Sequence, residues 1–188
     1  MKVLLTSCIL VVTFTIISFV SFANDPFEND IKEKYQYQNW GGIAQTNYIR
    51  MVKNWEFDFS LYGATNLISK SIEDNDDGIF DSFYTFQPTN MPSQISLRII
   101  ETPSIQDAHE TLIFFCTTSA APQPFPLGTL VGLNFGEFCY TGYPTNSTSS
   151  ITFVRNNVYI QIRANDETSV TNIATKVDQQ LLSISLKP

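Results

Sequence analysis

The chain has 188 residues, 18 acidic and 11 basic side chains, a formal charge of −7 and a single histidine. This balance repels phosphate backbones, and no Lys/Arg cluster offers a patch to an anionic membrane, so nucleic acid and charged lipid surfaces are excluded as partners. One histidine and the two cysteines that lie beyond the N-terminal apolar run, Cys116 and Cys139, are too few ligands for a zinc centre.

The N-terminus predicts export. Lys2 precedes an apolar run over residues 3–20, and Ser21-Phe22-Ala23 places small residues three apart before Asn24. This pattern marks a secretory signal over residues 1–23. The competing reading is a retained anchor, because the run approaches the length that spans a bilayer. Cleavage yields a secreted protein, extracellular or periplasmic, with no stable membrane insertion. Residues 24–42 form a polar lead-in and residues 43–188 a single domain. A domain of that size buries about 70% of its unfolded surface. Cys8 leaves with the signal. Cys116 and Cys139 remain, and in an oxidising compartment an even pair predicts one disulfide. Two buried thiols are the alternative.

Within the domain, residues 43–52 suit a short helix. Residues 55–61, WEFDFSL, alternate apolar and polar as a half-wet strand does. Residues 66–72, 80–86 and 94–100 are further strands. Between the first two of these lies EDNDDGIFD, which supports two readings. Asp77-Gly78 between alternating segments signals a hairpin. With Gly78 as sixth position, Glu73, Asn75, Asp77 and Asp81 also fall where calcium loops place their oxygens. Glu73 replaces the usual first Asp, and Tyr84 stands where a bidentate carboxylate belongs, so any ion would be held weakly. The hairpin is the favoured reading.

Thr102-Pro103-Ser104 then opens a helix whose apolar stripe runs through Ile105, Ala108, Leu112, Phe115 and Cys116, with His109 at its border. Prolines 122, 124 and 126 stiffen the following connection. Residues 130–140 read as strand. Residues 141–150 are a polar loop carrying the sequon Asn146-Ser147-Thr148, which a glycosylating host would modify. Residues 151–155 and 158–163 form a hairpin around Asn156-Asn157. A last helix is opened by Asp166-Glu167-Thr168 and striped by Val170, Ile173, Ala174, Val177 and Leu181. Strands dominate, and strand-then-helix occurs twice. The expected fold is α+β: a two-layer domain in which two main helices pack on one face of an antiparallel sheet of about five to seven strands.

No phosphate loop, dinucleotide fingerprint or G-x-S-x-G elbow is present. Glu56 and Asp58 share a strand face, where solvation explains them better than paired-carboxylate catalysis. The segments Gly136-Glu137-Phe138, residues 153–160 (FVRNNVYI) and residues 173–178 (IATKVD) resemble the C-terminal halves of uncharacterised secreted α+β domains reading "GD…FVRxNVxV…AxxID". Glu137 stands for the usual Asp, and Asn156 occupies a position where Gly is common. The likeness covers about 50 residues; it implies a hairpin followed by a packed helix, and no catalytic residue.

The first functional reading is a non-catalytic binding or interaction domain whose partner is a protein, a sugar or a small apolar ligand, with no cofactor beyond a weak calcium. The sheet face and loops 119–129 and 141–150 are its candidate surfaces. The alternative is an extracellular hydrolase with a carboxylate or serine site.

Overall fold

The structure, a computed structural model, describes residues 29, 32–33, 36–39, 49–53, 58–75, 77–118, 125–126, 135–141, 148–184 and 186–187. The expected signal at 1–23, most of loop 119–129 and the sequon at Asn146 lie outside these residues. Among the described residues no helix is long and apolar enough to cross a membrane.

The architecture is α+β, as expected. Strands β1 (Ile49–Arg50), β2 (Ala64–Asp74), β3 (Phe80–Pro88) and β4 (Ile95–Glu101) precede helix α1 (Ile105–Thr118). Then come β5 (Phe125–Pro126), β6 (Phe138–Thr141), β7 (Ser150–Arg155), β8 (Val158–Ala164), helix α2 (Thr171–Ser183) and β9 (Leu186–Lys187). Seven strands make one antiparallel sheet in the order β2-β3-β4-β8-β7-β6-β5, and β1 pairs with β9 beside it. The chain thus runs two three-strand meanders, β2–β4 and β6–β8, each followed by a helix. They join where β4 lies against β8.

The two helices divide the faces of the sheet between them instead of sharing one, each forming its own helix-on-sheet stack. Register decides this, because side chains alternate across a strand. Leu97, Ile99, Ile160, Ile162, Ile151 and Phe153 point to one face and pack with Ile173, Ala174, Val177 and Leu181 of α2. Ile100, Tyr159, Val154 and Tyr140 point to the other and pack with Ala108, Leu112 and Ile113 of α1. Burial on both sides explains why residues 151–154 and 158–160 are buried without a break.

Local chemistry sets the element ends. Ser104, not Thr102, caps α1: its hydroxyl accepts from the Asp107 N–H at 3.1 Å and donates to the Asp107 carboxylate at 2.7 Å. Helix α2 starts at Thr171, later than the acidic signal at 166–168 suggests, because Asp166 is used in a turn. It accepts from the Thr168 N–H at 2.8 Å and from the Ser93 hydroxyl at 2.6 Å. At the end of the expected strand 55–61, residues Phe59–Tyr62 form a 3-10 turn. Asp58 caps it through the Ser60 N–H at 3.0 Å, and Gly63 at φ 65° closes it. Residues 54–57 lie outside the description. Similarly, Ile49–Arg50 is strand where the sequence suits a helix. The side-chain carbonyl of Asn157 takes the Arg50 N–H, and the Asn157 amide returns a bond to the Arg50 carbonyl at 3.2 Å.

Candidate functional site

The residues with the best-formed electrostatics hold the fold together. Gly136, Glu137, Arg155 and Asp178, all within the segments of the resemblance, meet where β7 faces α2. Arg155 donates to Asp178 through Nε at 2.8 Å and Nη2 at 2.7 Å, and its Nη1 lies 3.6 Å from Glu137. The Gly136 N–H also reaches Asp178, at 3.3 Å, and Glu137 accepts the Asn156 N–H at 2.8 Å. Burial pushes the Glu137 carboxyl above its ordinary range, although Arg155 pulls against this. Gly136 sits at φ 61°, and a Cβ there would fall 2.0 Å from the Val154 carbonyl oxygen. Only glycine therefore permits the close approach of backbone that presents its N–H to Asp178.

Two further polar side chains tie this corner to the N-terminal segment. The Asn157 amide also donates to the Thr102 carbonyl at 2.7 Å, and Glu101 accepts the N–H groups of Val52 at 2.7 Å and Lys53 at 2.9 Å. Arg50 donates to the carbonyls of Leu181, in the last turn of α2, and of Ile184 just beyond it. Each of these groups is committed to the protein itself, so the cluster is a clamp and not a reaction centre. The sequence presents Asn156-Asn157 as a turn alone; Asn156 does take φ 55°, but Asn157 is buried as a hub.

The acidic stretch forms the β2–β3 turn. Asn75 N–H bonds to the Ile79 carbonyl at 2.9 Å, Gly78 N–H to the Asn75 carbonyl at 3.1 Å, and Gly78 takes φ 83°. Asp77 accepts the Ile79 N–H at 3.2 Å. Glu73 is paired across the strands with Asp81. The Asp81 carboxylate is not left for an ion: Arg98 grips it through Nε at 3.1 Å and Nη2 at 2.6 Å. Among the described residues no group of three or more His, Cys, Asp or Glu is placed to hold a metal. Asp77→Ala is expected to cost no more than about 0.5 kcal/mol, measured by urea unfolding in calcium-free buffer, since one exposed turn bond is lost.

Cys139 is buried among the side chains that α2 covers, whereas Cys116 belongs to α1 on the other side of the sheet. The sheet therefore stands between the Cys139 side chain and the helix that carries Cys116. Among the described residues no disulfide is formed. His109, expected at the border of the α1 stripe, is fully buried, with the Tyr37 ring edge-on at 6.2 Å. Tyr37 and Lys32 of the lead-in both bond to Glu110, at 2.9 and 2.7 Å, which holds the lead-in against α1.

Among the described residues, the β2 side of the sheet is open to solvent. Arg98 stacks on Phe115 at 4.9 Å and marks the limit of what α1 covers. Beyond it lies a shallow concavity of about 200 Å³ lined by Ser71, Glu73, Asp81, Phe83 and Arg98. A second, of about 300 Å³, is lined by Thr85, Gln94, Ser96, Arg163, Ala164 and Asn165. Neither brings a nucleophile to a base. Strand β2 bounds this face and, among the described residues, is hydrogen-bonded on one side only. Residues 67–75 are exposed throughout, including Leu67, Ile68 and Ile72 at 44–49%, with Phe83 at 40% beside them.

The chain matches no protein-family model, no curated protein and no solved structure.

Proposed function

We propose that this is a secreted, non-catalytic binding domain that takes an extended polypeptide segment along the free edge of β2. The observation that carries the reading is the edge itself: an 11-residue strand that, among the described residues, pairs on one side only and bears three exposed aliphatic side chains. Such an edge is costly to leave open, because it templates unwanted pairing. It is also what strand addition requires: backbone bonds supply affinity, and alternate side chains supply selectivity. The hydrolase reading lacks comparable support. Arg98 neutralises Asp81, and Glu137 and Asp178 are bound to Arg155.

The ladder's phase permits a clean test. Asn75 and Ile79 are a hydrogen-bonded pair, so Glu73 and Ser71 also bond inward to β3. Lys70, Ile72 and Asp74 alternate with them and present their N–H and C=O groups outward. Ile72→Pro therefore removes an outward donor without breaking a bond to β3. In an NMR titration with ten-residue peptides of alternating apolar and polar residues, perturbations are expected over residues 66–74 and 80–86. The variant is expected to weaken binding at least tenfold while keeping its fold. Perturbations confined to loops 119–129 or 141–150, or unchanged binding by the proline variant, would overturn the reading.

A further inference from the structure

We propose that the segment accepted by β2 is β2 of a second copy of this chain, antiparallel, with Ile72 on the two-fold axis. This rests on the reading of β2 as a strand acceptor and adds its partner and register.

Three independent features select that register. The first is backbone phase. A two-fold edge pairing must oppose residues whose polar groups both point outward, and Lys70, Ile72 and Asp74 do so. With Ile72 opposite Ile72 of the copy, each outward residue meets another outward residue. The second is side-chain chemistry. Lys70, Ile72 and Asp74 lie opposite Tyr84, Ser82 and Phe80 on β3, so they share one face of the strand. In this register Lys70 falls opposite Asp74 of the copy on both sides of the axis, and the half-exposed Ile72 side chains meet at the centre. Opposite charges across a strand pair attract, and like charges repel. Centring the axis on Lys70 instead sets lysine against lysine, and a slide of two residues takes Asp74 opposite Ile68 or Ile72 of the copy, so neither gives Asp74 a second lysine beside its own Lys53 at 3.6 Å. A lone edge lysine normally discourages pairing; here it selects one register. The third feature is termination. Register shifts between Leu67 and Ser69 break the regular edge at one end, and the turn after Asp74 ends it at the other. The paired stretch is therefore short. The chain's net negative charge also opposes association at long range. The dimer is accordingly weak, at the low end of specific interfaces in size.

Sedimentation velocity from about 10 µM to 1 mM tests the proposal on wild type, Lys70→Asp, Asp74→Lys and an equimolar mixture of the two variants. Wild type is expected to dimerise. Each variant alone is expected to lose at least tenfold in affinity, because its two facing positions then carry the same charge. The mixture is expected to recover a heterodimer, because both carboxylates of the first variant then face lysines of the second. Recovery also shows that both variants are folded. Monomeric wild type at 1 mM overturns self-pairing; the peptide titration above still reports separately on whether β2 accepts a strand. A dimer indifferent to either change, or variants whose mixture fails to recover, overturns the register.

Discussion

Asp178→Ala is expected to destabilise the protein by about 3–5 kcal/mol in urea unfolding, and to lower the melting temperature by roughly 10 °C. Asp178 is buried on the inward face of α2, and its partner Arg155 is largely enclosed between β7 and that helix. Removing the carboxylate leaves the guanidinium with Glu137 alone, at 3.6 Å, and takes the Gly136 N–H partner away as well. Arg50 offers no relief, because burial first and the nearby Arg155 charge second already disfavour its own ionised form. The cost is that of an uncompensated buried charge, not of the ion pair as such. Replacing both partners, as in Arg155→Met with Asp178→Leu, is therefore expected to restore much of the loss. A single-variant cost below about 1 kcal/mol would mean that water reaches Arg155 and that the corner is not a clamp.

Much of this architecture was legible from period and turn chemistry. The β7–β8 hairpin follows from alternation on either side of Asn156-Asn157, and the α2 stripe from Ile173, Ala174, Val177 and Leu181. An apolar stripe tells which side of a helix is buried, but not which face of a sheet buries it, so the distribution of the helices was not legible from the stripes. A signal did exist in the strands. Ile99-Ile100 and Phe153-Val154 place apolar side chains at adjacent positions, which a strand covered on one face does not need. The clamp was harder to foresee. Glu137, Arg155 and Asp178 are separated by a strand, a loop and a helix, and each alone reads as an ordinary surface charge. Only the bend at Gly136, which admits no side chain, brings the backbone close enough to enclose them. The β2 edge was hidden for a different reason: residues 66–72 read as a strand like the others, and only the topology places β2 at the border of the sheet.

The second large effect concerns acid. His109, on α1, is fully buried beside Tyr37 of the lead-in, and burial lowers its pKa from 6.5 to about 4. Between those values the unfolded chain binds a proton that the folded chain does not, so stability rises with pH across this window and falls on acidification. The slope is about 1.4 kcal/mol per pH unit and the whole loss about 3 kcal/mol, complete near pH 4. Glu137 acts in the opposite sense. Burial raises its folded pKa above 4.5, so its contribution declines as pH increases through that range. The wild-type curve is therefore a sum, and the informative quantity is its difference from a variant that cannot titrate at position 109. His109→Leu keeps a side chain of similar volume against Tyr37 and is expected to flatten the fall between pH 6.5 and about 4 by nearly the full His109 contribution. Parallel curves for the two proteins over that interval would place the imidazole in contact with solvent and remove it from the core.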